Sequence, residues 1–286
     1  MKKIIYAFVA FSCVCSVAFA QQEEKRMRIV PEGYMPAGGD ISLGFTLNPL
    51  NIGVGGTAID NKQEPFVIRH DIFSIMGKYQ LDDVTALRAN IGFKGRSVSN
   101  KTFVQDDKAV TLDPLSVAQV EDVHKLKVNG ASFAIGAEKQ RTYRNVRGFA
   151  GVSALYAFSK EKNTYTYGNA ITEINQTPSQ SQPSQPNLDY LENARELKTF
   201  GDNTHALGLV GHVGVEWFFS PKVSLGGEVN MSFLYQWNPR QHAVYEGWNP
   251  VTKQVEEYTD LLDDKSSGFY YGTDNLGANL SLNFYF

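Results

Sequence analysis

Cysteine is almost absent from this 286-residue sequence, which has only Cys13 and Cys15. Both lie in the apolar segment at the N terminus, which we expect to be removed. The mature chain would then hold no thiol, no disulfide and no cysteine-based metal site. The residues before each cysteine do not fit a lipoprotein cleavage pattern, so we do not expect a lipid anchor.

An excess of basic residues is also missing. The chain has 27 Lys and Arg against 30 Asp and Glu, and removal of Lys2 and Lys3 leaves 25 − 30 = −5 as the net charge of the mature chain. A nucleic-acid partner is therefore not expected, since such binding depends on neutralising phosphates.

Long apolar runs are missing after residue 20, where no stretch of eighteen apolar residues occurs. This excludes a helical membrane span in the mature chain. It does not exclude a membrane-spanning β-barrel, because alternating strands never build a peak of hydropathy.

The N terminus has the pattern of a secretory signal. A basic start, Met1 to Lys3, precedes an apolar stretch from Ile4 to Val17, and Ala18-Phe19-Ala20 supplies the small residues of a cleavage site. The alternative is a transmembrane anchor, but the apolar run is too short for one. We expect residues 1–20 to be a cleaved signal peptide and the protein to be exported.

Apolar and polar residues then alternate in eight segments, which predict eight β-strands. The segments are Ile41–Asn48, Phe73–Leu81, Leu87–Lys94, Ser132–Glu138, Gly151–Phe158, Leu207–Phe219, Val223–Tyr235 and Leu276–Phe286.

Two features of these strands favour a transmembrane barrel over a soluble sandwich or a lipocalin. The less apolar face carries mostly Gly, Ser, Asn and Ala, as expected for a narrow lumen. Three links are short (Asp82–Val84, Arg141–Asn145 and Ser220–Lys222) and alternate with four links of about twenty to forty residues. We predict an all-β fold: an eight-stranded antiparallel transmembrane barrel over residues 39–286, with four long extracellular loops and short periplasmic turns.

The eight strands resemble the OmpA-type family of small outer-membrane barrels. The most specific element is the last strand, which ends in the alternating Phe284 and Phe286. The resemblance implies that these two residues form the C-terminal signal for the outer-membrane assembly machinery, and that the protein contacts outer-membrane lipid. No peptidoglycan-binding domain is expected after the barrel. Residues 21–38 would form a periplasmic arm, either a disordered tail or a docking segment.

Charged residues on the inner face form the candidate site. If the short turns centre their hairpins, His212 lies opposite Asn230, Glu216 opposite Gly226, and Lys78 opposite Arg88. Neighbouring cations need anions nearby, so we predict a structural charge network in the lumen rather than a gated pore or an acid–base pair. Its members are Lys78, Arg88, Lys94, Glu138, Glu216 and Glu228.

Catalytic and metal-binding signals are weak. His70, His205 and His242 lie near the outer rim, and Asp71 and Asp202 are close to two of them. Loops of this composition produce such neighbours by chance, and His212 is expected to be an interior histidine. We expect no catalytic residue, no metal site and no cofactor.

The long loops carry further expectations. Asp113 and Pro114 could begin a short helix, the polar stretch 177–186 should not pack, and residues 188–191 could form a helical turn. The last loop is aromatic and acidic; it could bind Ca²⁺, but it lacks a calcium-loop motif, so a solvated loop is favoured. The acidic residues are Glu256, Glu257, Asp260, Asp263 and Asp264.

Together these features predict a non-enzymatic outer-membrane protein. It could be an accessory subunit of an outer-membrane assembly or a surface-interaction protein, and other outer-membrane or periplasmic proteins are candidate partners. The alternatives are a narrow channel for ions or small solutes and, as a third choice, a lipid-modifying or proteolytic barrel enzyme.

Overall fold

A computed structural model describes residues 33–47, 73–201, 203–262, 265–271 and 276–286. The predicted signal peptide, most of the predicted periplasmic arm, and His70, Asp71, Asp202, Asp263 and Asp264 lie outside the described residues. No helix in the described part of the chain has the length and apolar character needed to cross a membrane.

The described chain forms thirteen β-strands and one short helix, α1, at Asp107–Leu112. The strands are β1 Ile41–Leu47, β2 Phe73–Asp82, β3 Thr85–Gln105, β4 Gln119–Tyr143, β5 Val146–Thr166, β6 Gln185–Leu188, β7 Leu191–Phe200, β8 Thr204–Ser220, β9 Val223–Asn238, β10 His242–Asn249, β11 Gln254–Leu261, β12 Ser266–Tyr270 and β13 Leu276–Tyr285.

Eight of these strands close into an antiparallel barrel, which confirms the predicted fold class. The ring runs β1–β2–β3–β4–β5–β8–β9–β13 and returns to β1. Closure joins the two ends of the barrel sequence, with Leu43 opposite Phe284 and Leu47 opposite Leu280. The backbone of Phe286 completes the seam by exchanging hydrogen bonds with Ile41, at 2.8 and 3.2 Å.

The two faces of the barrel follow the alternation in the sequence. The outward face is apolar and exposed around the ring, although such residues are normally buried, and a closed barrel with this wall is the form in which strands cross a bilayer. Members of this wall include Leu43, Phe45, Ile75, Leu87, Ile91, Phe133, Ile135, Val152, Leu207, Leu209, Val215, Leu225, Val229 and Leu280. The inward face is buried and mostly small or polar.

The three inner hairpins have tight turns at the predicted places. The β4–β5 strands run closer to their turn than predicted, to Tyr143 and from Val146. Arg144 and Lys222 take positive φ values of 56° in the second and third turns. One of the four outer links is shorter than predicted. The β3 and β4 strands stay paired as far as Gln105 and Gln119, so their connection spans only residues 106–118.

Two predictions of helical structure in the outer loops are wrong. Asp106, rather than Asp113, caps α1: its carboxylate accepts from the N–H of Ala109 at 3.0 Å. Asp113 ends the helix in an extended conformation, as expected for a residue before proline. Residues 188–191 form no helical turn, because Asp189, at φ 54°, and Tyr190 make the turn of the β6–β7 hairpin.

The polar stretch 177–186 also packs, contrary to expectation. Pro178 is buried, and the backbone N–H groups of Ser179 and Ser181 donate to the carboxylates of Asp107 and Asp122 at 2.8 and 2.7 Å. Its side chains could not build a core, but its backbone is fixed by carboxylates elsewhere in the chain.

The outer ends of the strands continue into a second small sheet. Beyond its pairing with β8, β5 pairs with β7 at Asn163 and Thr164, and the sheet continues through β10 to β11. We call α1, β6, β7, β10, β11, the segment 167–184 and the outer ends of β4 and β5 the outer lobe. It was not predicted.

Candidate functional site

Lys78 lies at the centre of the lumen network. Its ammonium group is 2.8 Å from Glu138 Oε1 and 2.6 Å from Glu216 Oε1, and it stands 4.3 Å from the centre of the Phe149 ring. The side chains of all three charged residues are at most 1% exposed. The site therefore joins β2, β4 and β8 across the barrel through one cation.

Arg88 forms the second branch of the network. Arg88, on β3, lies opposite Lys78, as predicted from the position of the short turn between the two strands. Its guanidinium donates two hydrogen bonds to Glu228, from Nη1 to Oε2 at 2.6 Å and from Nη2 to Oε1 at 2.9 Å. Nη1 also lies 3.7 Å from Glu138 Oε2. The two cations thus share Glu138, which reduces the repulsion between them.

Polar neighbours complete the coordination of these carboxylates. Glu216 accepts from the Tyr285 hydroxyl at 2.8 Å and the Asn283 amide at 3.3 Å. Glu138 accepts from Gln140 at 2.7 Å. Asn279 donates to Glu228 at 2.9 Å. Buried charges are tolerated when they are paired and hydrogen-bonded, and each of these three carboxylates has both an ion-pair partner and a hydrogen-bond donor, although Glu138 Oε2 itself accepts no hydrogen bond.

His212 borders the network and lies opposite Asn230, as predicted. Its Nε2 atom is 3.5 Å from Glu138 Oε2, and its ring packs against Phe149. The described residues contain no group of three or more His, Cys, Asp or Glu side chains that could hold a metal.

Lys94 lies further along the lumen than the other predicted members of the network. It lies opposite Gly130, six residues beyond Arg88 on β3, about 20 Å along the strand. Its side chain runs over Gly130, where an added Cβ would come 2.6 Å from Lys94 Cε. Lys94 therefore belongs to the outer half of the lumen.

The inner mouth of the barrel is covered by residues 33–40. The Arg147 guanidinium donates to the carbonyl of Pro36 at 2.9 Å, and the N–H of Lys222 donates to the carbonyl of Tyr34 at 2.9 Å. Lys222 also pairs with Asp40 at 3.0 Å. For this part of the predicted arm, the interpretation as a disordered tail does not hold, because it is docked on its own barrel. Arg147 was missed because the fifth strand was predicted to begin only at Gly151.

The histidines near the outer rim sit in aromatic contacts. His205 Nδ1 is 2.9 Å from the Tyr156 hydroxyl, and its ring stacks on Trp237 with centroids 5.4 Å apart. His242 stacks on Phe200 at 4.4 Å. Asp71 and Asp202, the acidic neighbours considered from the sequence, lie outside the described residues. His205 belongs to an outward aromatic belt with Tyr156, Phe158, Tyr235 and Trp237.

Buried polar residues hold the outer lobe together. Asp122, which is 2% exposed, accepts from the N–H groups of Gly168 and Ser181 at 2.8 and 2.7 Å. Arg195 pairs with Glu246 at 2.8 Å and donates to the carbonyl of Asn169 at 2.9 Å. The lobe is therefore a folded unit with its own buried interior.

Tyr167 adds a contact to this interior. Its hydroxyl donates to the carbonyl of Glu196 at 2.6 Å, and the Arg195 guanidinium lies 4.2 Å from its ring. Burial raises the pKa of Tyr167 above its ordinary range, although Arg195 acts in the opposite direction. The phenol is therefore a stable hydrogen-bond donor.

The acidic residues of the last loop are partly used as hydrogen-bond acceptors. Glu256 accepts from the Thr252 hydroxyl at 2.6 Å and from the Asn249 amide at 3.0 Å, and these bonds, the one from Thr252 first, lower the pKa of Glu256. The β10–β11 hairpin explains this arrangement, because Asn249 and Glu256 lie on either side of its turn.

Comparisons with known proteins show likeness only at the level of structure. No family model matches the chain, and no curated protein is recognisably related to it. The outer membrane protein OprG from Pseudomonas aeruginosa aligns with a TM-score of 0.36 and 11% identity, over 87% of this chain and 97% of that one. Ail, the attachment invasion locus protein of Yersinia pestis, aligns with a TM-score of 0.29 and 10% identity, over 87% and 99%. The fold of this chain rests on its own strand pairing.

Proposed function

We propose that this integral outer-membrane protein is a non-enzymatic surface-interaction protein that binds its partner through the outer lobe. The observation that carries the proposal is the ordered interior of that lobe. A transmembrane β-strand needs about 9–11 residues, whereas β3, β4 and β5 have 21, 25 and 21. About half of each strand is therefore available outside the bilayer.

The extra length supports a packed structure rather than free loops. Leu191, Ala194 and Ala243 are at most 1% exposed, and Trp248 is 6% exposed. A surface that is already ordered loses less conformational entropy when a partner binds. Exposed aromatic residues are present on it: Tyr190, 43% exposed, packs edge-on against Tyr258 at 5.8 Å, and tyrosine is favoured at binding surfaces.

Site-specific photocrosslinking in the native membrane tests this proposal. Benzoyl-phenylalanine replaces Tyr190 in the outer lobe and, in a matched control, Tyr143 beside the inner β4–β5 turn, which is 59% exposed. We expect a discrete crosslinked species from position 190 and none from position 143. Crosslinks from position 143 alone would favour a subunit of an outer-membrane assembly and contradict the proposal.

The channel alternative is tested separately by conductance in planar bilayers. Charged side chains occupy the lumen at the level of Lys78, and residues 33–40 lie across its inner mouth. Both features support a barrel without steady conductance. Reproducible open steps from the wild-type protein would favour the channel instead.

A further inference from the structure

Five lysines lie together on the outward face of β4, β5 and β7, just outside the apolar wall. Lys127 lies directly opposite Lys162 in the β4–β5 pairing. Lys125 lies opposite Thr164, which in turn lies opposite Lys198 on β7. Paired residues of an antiparallel sheet share a face and have Cβ atoms about 4.5–5.5 Å apart. We call Lys125, Lys127, Lys160, Lys162 and Lys198 the lysine patch.

The lysine patch has no anionic side chain of its own within the described part of the chain. No Asp or Glu there lies within the 4.0 Å ion-pair distance of any of its five ammonium groups. The nearby Lys101, by contrast, pairs with Glu121 at 2.8 Å. Like charges directly opposite each other destabilise a sheet, so this arrangement favours an anion from outside the chain.

The position of the lysine patch identifies the source of that anion. Lys160 is the next outward residue after Phe158, which lies opposite His205 in the aromatic belt. The step from Phe158 to Lys160 is about 7 Å. Aromatic belts mark the boundary between the hydrocarbon core and the headgroups. Lys160 therefore stands at headgroup level, and the other four lysines extend outward from it by at most about 13 Å along the strands.

From this juxtaposition we infer that the lysine patch binds the phosphate groups of an outer-leaflet lipid. Lysine binds phosphate as a point charge, and basic side chains next to an apolar wall attract anionic lipids. The acyl chains of the same lipid would lie along the wall below, against Phe133, Ile135 and Tyr156. This inference is independent of the proposed partner of the outer lobe, because it uses the outward face of the barrel.

The test is lipid binding by purified protein in a nonionic detergent. Diphosphorylated lipid A and its dephosphorylated form are the two probes, and bound copies are counted by native mass spectrometry. The patch variant is Lys125→Gln/Lys127→Gln/Lys160→Gln. The matched control, Lys108→Gln/Lys253→Gln/Lys265→Gln, removes the same charge from exposed positions elsewhere. Heat-dependent electrophoretic mobility confirms that each variant is folded.

We expect the patch variant to bind diphosphorylated lipid A about tenfold or more weakly than wild type. The control variant should bind like wild type, and the dephosphorylated probe should bind all three proteins weakly. Equal binding by patch variant and wild type, or an equal loss in the control, would overturn the inference. Complete displacement of the lipid by inorganic phosphate at matched ionic strength would overturn the lipid as the source and leave a site for free anions.

Discussion

Replacing Lys78 with Met should destabilise the barrel by about 3–5 kcal/mol, the usual cost of breaking a buried ion pair by removing one partner. Three buried cations, Lys78, Arg88 and Arg147, lie in the inner half of the lumen with three buried glutamates, and all six residues are at most 9% exposed. The substitution removes the cation that contacts two of those glutamates, at 2.8 and 2.6 Å. Methionine fills similar volume, so the loss comes from the stranded charges.

The penalty should fall mainly on Glu216. Within the described residues Lys78 is the cation that lies within 4.0 Å of Glu216, whereas Glu138 keeps Arg88 at 3.7 Å. Adding Glu216→Gln to the Lys78→Met variant should therefore recover most of the lost stability. Adding Glu138→Gln instead should recover less, because it also removes a carboxylate that Arg88 uses.

The measurement is the free energy of unfolding from urea titrations in detergent micelles, followed by tryptophan fluorescence. A Lys78→Met variant within about 1 kcal/mol of wild type would refute the reasoning, since breaking such a buried pair costs more than that. So would a rescue by Glu138→Gln that equals or exceeds the rescue by Glu216→Gln. The double variants are the matched controls, since each lacks one buried cation and one buried carboxylate and so leaves the net charge of the network unchanged.

Three further predictions concern the second ion pair and the outer lobe. Arg88→Lys should cost about 1–2 kcal/mol in the same titration, because lysine cannot make both bonds to Glu228; an unchanged midpoint would contradict this. Asp122→Ala leaves two backbone N–H groups without their acceptor, and each costs about 1–3 kcal/mol of stability if it stays buried. The variant should be cleaved faster within 177–186 by added protease, whereas Asp113→Ala, at an exposed position, should not. Burial alone would raise the pKa of Asp107, but hydrogen bonds, chiefly from Ser179, lower it overall. The ionised carboxylate therefore stabilises the outer lobe at pH values above the ordinary Asp pKa, and this stabilisation is lost as the pH falls through the lowered pKa. Proteolytic cleavage within 177–186 should increase over that acidic range in wild type and not in Asp107→Asn.

The barrel could be predicted because each of its strands repeats one local rule. Alternation along a strand fixes which residues face inward, and a tight turn fixes which residues face each other. Those two rules suffice to place Lys78 opposite Arg88 and Glu216 opposite Gly226, as the structure has them. The contact between Lys78 and Glu216 additionally needs only the closure of the ring.

The outer lobe could not be predicted in the same way, because its contacts are neither periodic nor local. Asp122 fixes Ser181, 59 residues further along the chain, through a backbone N–H that has no signature in the sequence. The stretch 177–186 is low in apolar residues, so a composition rule predicts that it does not pack. That rule counts side chains, whereas here a buried carboxylate binds the backbone. Apolar and polar residues also alternate in β10 and β11, which could have predicted two strands, but Gly, Asn and acidic residues make that alternation hard to see.

Neighbouring cations occur both in the lumen and on the outward face, but only those in the lumen are balanced by glutamates of the described chain. This difference indicates where binding should be sought. Inside the barrel, Lys78 and Arg88 are neighbours, and glutamates from β4, β8 and β9 balance them at contact distance. Outside, Lys127 and Lys162 are neighbours in the same kind of pairing without such a balance in the described chain. A cluster of cations that is neutralised by its own chain has little attraction for other anions, whereas a cluster that is not neutralised attracts an anion from outside the chain. We therefore expect the lumen network to stabilise the barrel, and we propose the outward face and the outer lobe as the surfaces on which binding should be sought.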